Sequence, residues 1–226
     1  MNSRTKAESE ILAGRAVDAV VYVWYPCKRF YFGHASIYIG GVPRYPWTED
    51  FNSEDSSNPV SSYCAGGMRF TTIRNRIRPT DDNYVSFLAD PNIQRGILSC
   101  AGVFNNLRGD FAVPPHLEYY LIGLDVVKMQ HEKNKIYNGK MYGNLQMNHS
   151  YNPLNKNCST MVAKILKAGG VENVLGPGYS MSQCRTPKDV AQLCNKLRDH
   201  NMAVKVRGLD CPDKLKIPFR SLMGFR

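Results

Sequence analysis

Two spacings of apolar residues run along this chain, one of two positions and one of three to four, and the switches between them predict its elements. Val17 to Trp24 is apolar on both faces and reads as a strand buried from both sides. In Gly33–Gly41, Ala35, Ile37 and Ile39 alternate with His34, Ser36 and Tyr38, which predicts a second strand. Its aliphatic face goes to the core, and an imidazole, a hydroxyl and a phenol share the other. Helical spacing takes over at Cys158: this residue, Met161, Val162, Ile165 and Leu166 form one apolar stripe, Asn157 precedes them, and Gly169-Gly170 supplies a stop. A second such helix opens at Thr186-Pro187-Lys188-Asp189, with Pro at its first position and Val190, Leu193, Cys194 and Leu197 on its buried face.

The remaining segments follow from the same reading. Ala7 to Ala16 is amphipathic. Pro43 to Pro59 is a long polar loop placed to rim a cleft, and Val60-Ser61-Ser62-Tyr63 reads as a short strand. Arg69 to Arg78 alternates, with Arg74, Arg76 and Arg78 on one side of an expected strand. Asp81–Leu88 and Pro91–Leu107 are expected to be helical, Leu117–Val127 to be a strand, and the stretch from there to Cys158 a polar connection. Lys205 to Arg226 is a basic appended strand or tail.

Composition narrows the class. With 226 residues, 43% of them hydrophobic, the chain is expected to form one domain over 1–226 around one core, with a basic extension from about 205. The 7 cysteines, Cys27, Cys64, Cys100, Cys158, Cys184, Cys194 and Cys211, are odd in number and contain no Cys-x-x-Cys pair. That argues against a zinc site and a disulfide framework and suits a reducing compartment. No metal and no cofactor is expected. Neither a cleavable leader nor an apolar run of about 20 residues is present, so export is expected to proceed without a signal peptide.

The chemistry centres on Cys158. Unpaired N–H groups and partial positive charge at a helix start favour thiolate over thiol. A nucleophilic cysteine needs a base, and His34 on the predicted strand is the leading candidate. His149, in the polar stretch before the cysteine, is the alternative base, while His116, His131 and His200 read as surface residues.

The order of these blocks, Gly-His-x-x-Ile-x-Ile-Gly on a strand and Asn-Cys-x-x-x-Val opening a helix, resembles the circularly permuted branch of the papain-like superfamily. That branch includes lecithin retinol acyltransferase-like enzymes, permuted relatives of NlpC-type cell-wall peptidases, and Rho-inactivating domains of large toxins. The resemblance implies an α+β fold with a central antiparallel sheet packed on the helix that starts at the catalytic cysteine. Cys158 matches the family nucleophile and His34 the family base. The orienting residue is expected on the strand after the histidine, where Ser61 or Ser62 fits, with Glu49, Asp50 and Asp55 as competitors.

The same resemblance implies a cysteine-dependent amidase or peptidase of a secreted bacterial effector or toxin, working through an acyl-enzyme, with cell-wall peptide among its substrates. The alternatives are an acyltransferase or protease that modifies a host protein, and a non-catalytic basic binding module. The protein would be made in the bacterial cytoplasm and act in a target cell, with an immunity protein or a secretion-machine carrier as partners. The formal net charge of +10 points to an anionic substrate or surface, whether wall, membrane or acidic protein. No nucleic-acid-binding module is visible, which argues against nucleic acid.

Overall fold

The computed structural model describes residues 6–43, 83–97, 99–104, 107–137, 146–176 and 186–213. Their elements, in chain order, are α1 (Lys6–Leu12), β1 (Ala19–Trp24), β2 (His34–Ile39), β3 (Tyr84–Gly96), β4 (Ser99–Phe104), α2 (Leu107–Asp110) and β5 (Leu117–Leu121). There follow α3 (Val126–Tyr137), β6 (Gln146–Tyr151), α4 (Cys158–Ala168), α5 (Val171–Leu175), α6 (Pro187–Asp199) and β7 (Ala203–Arg207). The strands form one seven-stranded sheet in the order β6-β4-β3-β2-β1-β5-β7, and every neighbouring pair is antiparallel. The fold is α+β.

The alternation in β1 and β2 sends side chains into two separate apolar layers. Val21, Val23, Ala35 and Ile37 meet Met161, Val162 and Ile165 of α4 and Leu193 and Leu197 of α6. Tyr22, Trp24 and Tyr38 face the other way, toward Ala7 and Ile11 of α1, Leu107 of α2 and Phe111 just after it. The sheet is thus covered on both sides, which is why β1 carries no polar face.

α4 begins where its cap chemistry requires. Asn157 is extended, and its Oδ1 accepts the Thr160 N–H at 3.0 Å while the Thr160 hydroxyl accepts the Asn157 N–H at 2.8 Å. The Asn157 amide also donates to the Pro153 carbonyl at 2.7 Å, tying the preceding turn to the helix. Asn157→Ala is expected to cost about 1 kcal/mol of stability, read as a shift in the denaturant midpoint. At the far end Gly169 lies so close to Met129 that an added Cβ would sit 2.9 Å from it, so α3 and α4 meet at a residue with no side chain.

Three expectations change. Asp81–Leu88 and Pro91–Leu107 hold no helix among the described residues apart from the first residue of α2; they supply β3 and β4. Tyr84, Val85, Ser86 and Phe87 are all buried, so the two-sided burial hides the strand period, and Pro91 falls where the register with β4 shifts between Asp90 and Gln94. The connection from Asp125 to Cys158 contains α3 and β6. α3 escaped notice because, of its polar length, only Met129 and Ile136 enter the core. The Leu117–Val127 strand ends at Leu121, and Lys205 to Arg207 belong to β7, which pairs with β5. The expected strands at Val60–Tyr63 and Arg69–Arg78 lie outside the described residues, as do 214–226.

Candidate active site

His34 is the first residue of β2 and is fully buried. Gly33 before it adopts φ +75°, and a Cβ there would lie 2.8 Å from the Trp24 carbonyl, so the chain turns into the strand at a position only glycine fills without strain. Phe30 stacks on the imidazole at 4.7 Å between ring centroids, and Trp24 lies at 5.3 Å. The ring is therefore clamped by aromatics and can present its nitrogens in one orientation only.

Nε2 of His34 lies 2.9 Å from Ser86 Oγ and 3.2 Å from Asp110 Oδ2. Nδ1 makes no hydrogen bond of ordinary geometry, and besides Asp110 the Cys158 side chain also acts on the charge of the ring. With Nε2 committed to the carboxylate and the serine, Nδ1 is the nitrogen left for the thiol. A loose contact of this kind is common in sites without substrate.

Asp110 closes the small helix α2 and is fully buried. Its Oδ2 accepts from the Tyr84 hydroxyl at 2.6 Å as well as from His34, and Tyr84 Oη is 2.7 Å from Ser36 Oγ. The carboxyl is held below its usual range: burial opposes ionisation, but the His34 charge and hydrogen bonds from His34, Ser86 and Tyr84 outweigh it. Burial would also neutralise His34. The Asp110 charge wins, with hydrogen bonds donated to Asp110 and to the Cys158 side chain, and the imidazolium is held up to about 10.

Cys158 is 5% exposed at the first position of α4. Burial pushes its thiol up, yet the net direction is down, through hydrogen bonding with His34 and its charge, the Ala35 backbone N–H and the Ser159 hydroxyl. The Ser159 oxygen is 3.8 Å from the sulfur. Tyr151, the last residue of β6, packs its ring 5.4 Å from that of Phe87. Burial, followed by the Cys158 sulfur beside it, raises its phenol, while the Cys158 backbone N–H acts in the opposite sense. The arrangement sets a thiol whose ionisation is favoured beside an imidazole held protonated by a buried carboxylate, with a phenol kept protonated at the sulfur.

Of the residues singled out in the sequence, the structure brings Cys158 and His34 together. Ser61, Ser62, Glu49, Asp50 and Asp55 lie outside the described residues. The group on the far side of the imidazole is Asp110, which the sequence reading missed along with Ser86 and Tyr84. Ser86 does lie on β3, the strand that pairs with β2, opposite Ser36. His149 sits on β6 opposite Gly102. His131 and His200 are exposed. His116, expected at the surface, is buried: the Tyr25 N–H donates to its Nδ1 at 2.8 Å, the two rings stack at 5.8 Å, and burial lowers its pKa.

No helix among the described residues is long and apolar enough to cross a membrane. The family described as the IcsB middle domain matches residues 97–214, a stretch that carries Asp110, Tyr151 and Cys158 and begins after β3. No curated protein and no solved structure matches the chain.

Proposed function

The chain belongs to the IcsB middle-domain family, and on that premise we propose that it is a cysteine-dependent acyl-transfer enzyme of a secreted bacterial effector, working with a Cys158–His34–Asp110 triad on a permuted papain-like framework. The single observation that carries this reading is the buried chain of contacts Asp110–His34–Cys158. A carboxylate, an imidazole and a thiol in series are the parts a covalent acyl mechanism needs.

The Cys158 thiolate attacks the carbonyl carbon of an acyl donor. The oxyanion that forms is met by the Cys158 backbone N–H at the start of α4 and by the Tyr151 hydroxyl, which burial keeps protonated. Collapse expels the leaving group, which takes the proton of the His34 imidazolium, and a thioester remains. Neutral His34 then takes a proton from the incoming nucleophile as it attacks the thioester, the C–S bond breaks, and thiolate and imidazolium are restored. Asp110 stays ionised throughout and stabilises the imidazolium.

The buried sulfur and its aromatic surroundings keep bulk water from the thioester, which favours an amine or hydroxyl acceptor over hydrolysis. Membership of an effector-domain family favours a protein of the target cell as acceptor over cell-wall peptide. An amidase or peptidase would use the same three residues with water as the second nucleophile.

The test is to incubate the protein with an activated acyl thioester and identify the adduct by mass spectrometry. One acyl group on Cys158 is expected, none in Cys158→Ala, and transfer onward to an added amine faster than release to water; an unmodified Cys158 in the wild type would sink the proposal. Ionisation is read separately by alkylation. An ordinary thiol near 8.5 loses about tenfold in alkylation rate per pH unit below that value. Because the Cys158 thiol is lowered, its rate is expected to begin to fall at a lower pH than that of an ordinary thiol.

A further inference from the structure

The loop that joins β1 to β2 holds three consecutive aromatic residues that face opposite ways. Phe30 is 6% exposed and stacks on His34, whereas Tyr31 is 76% and Phe32 73% exposed. The loop is held rigidly: the Cys27 and Gly33 N–H groups both donate to the Phe30 carbonyl, at 3.0 and 2.9 Å. Two large rings are thus pushed into water by a backbone pinned to the candidate catalytic imidazole. Stability alone gives no reason to place them there, and exposed rings of this kind mark contact sites.

The neighbouring charges say what the contact is. Lys28 and Arg29 are exposed in the same loop, with the Arg29 guanidinium over the Phe30 ring at 5.7 Å, and residues 25–33 include no acid. Two exposed rings are by themselves far too small for a stable protein interface, which needs about 800 Å² from each partner. A bilayer sets no such requirement. Amphipathic rings settle at the headgroup level, and each nearby cation adds attraction to an acidic leaflet.

From these observations we infer that the Lys28–Phe32 loop docks the protein on an anionic lipid bilayer, with Tyr31 and Phe32 entering the headgroup layer and Lys28 and Arg29 against acidic headgroups. The docking itself does not depend on the acyl chemistry. Taken with the proposed function, it deepens that reading, because the stacked Phe30 then holds the active site at the membrane surface.

The experiment is sedimentation of the full chain with vesicles of phosphatidylcholine alone and with about one third phosphatidylserine. Binding to the acidic vesicles is expected, weakening as salt is raised. Tyr31→Ser combined with Phe32→Ser is expected to lower the partition coefficient by about tenfold or more, and Lys28→Glu combined with Arg29→Glu to remove the preference for the acidic vesicles. All four side chains are exposed, so an unchanged thermal melt keeps these variants interpretable. Cys158→Ala is expected to sediment like the wild type, which separates this result from the fate of the catalytic proposal. The inference is overturned if the wild type stays in the supernatant with acidic vesicles, if it binds both vesicle types equally, or if the Tyr31/Phe32 variant binds as well as the wild type.

Discussion

Asp110→Asn is expected to slow acylation of Cys158 by about 10³–10⁴-fold while leaving the protein folded. The carboxylate does two things that an amide cannot. Its charge keeps a fully buried imidazole protonated against a desolvation effect that points the other way. It also accepts the Nε2 proton, so that Nδ1 is the nitrogen offered to the sulfur. An asparagine amide can present its NH₂ to Nε2 instead, which stabilises the tautomer with the proton on Nδ1 and leaves no base facing the thiol. The volume is unchanged and the Tyr84 hydroxyl keeps an acceptor, so the loss should appear in acylation rate and hardly in the melt. Truncation by Asp110→Ala would strand a buried charge and cost about 3–5 kcal/mol.

The pH profile provides the companion readout. His34 is raised in the folded protein, so its contribution to stability is complete below its unfolded value near 6.5 and is lost as pH rises through about 10. The imidazolium that protonates the leaving group disappears over the same upper range. Without the Asp110 charge, burial dominates, His34 drops, and the ion pair with Cys158 should be absent at pH 7. Alkylation of the variant should then regain the steep dependence of an ordinary thiol. A rate within tenfold of the wild type, or an unaltered profile, would remove Asp110 from the mechanism.

Trp24→Ala is expected to cost about 3–5 kcal/mol in chemical denaturation. That is a large share of the roughly 5–15 kcal/mol by which a domain is stable. The indole is fully buried and contacts Phe30 at 5.4 Å, Phe111 at 5.9 Å and Tyr22 at 6.3 Å between centroids, and its Nε1–H donates to the Val113 carbonyl at 2.9 Å. Phe111 and Val113 follow directly on Asp110, so the side chain that fills this layer also fixes where the carboxylate stands. Trp24→Phe keeps much of the packing and loses the hydrogen bond; it should cost about 1–3 kcal/mol and slow acylation by displacing α2. A loss below about 1 kcal/mol for the alanine variant would show that this layer is not cohesive.

Local chemistry was legible in the chain and tertiary placement was not. The start of α4 at Cys158 follows from a cap and a stripe within a dozen residues, and the β2 face that carries His34 follows from alternation over seven. Both are nearest-neighbour effects. Asp110 reaches the imidazole because β3 lies between β2 and β4 and because Tyr84 and Trp24 pack α2 against them, and no spacing in the sequence encodes that. β3 hid its period because both its faces are buried at Tyr84–Phe87. α3 was missed for its thin apolar stripe, although one signal was present: Asp125 just before it caps the helix, accepting the Lys128 N–H at 2.9 Å. His116 was misread because a histidine in a Pro-rich stretch looks solvated until Tyr25 is seen to lie on it.

The strand order has one more consequence. Residues 97–214 supply β4 and β6 at one rim of the sheet and β5 and β7 at the other, while the three strands between them come from earlier in the chain. Cut out at those limits, the stretch would be two separate ribbons with raw backbone edges and oily faces, prone to clump before they could fold. Anyone trimming this protein for crystals, or grafting its chemistry onto another scaffold, must carry the first ninety-odd residues along.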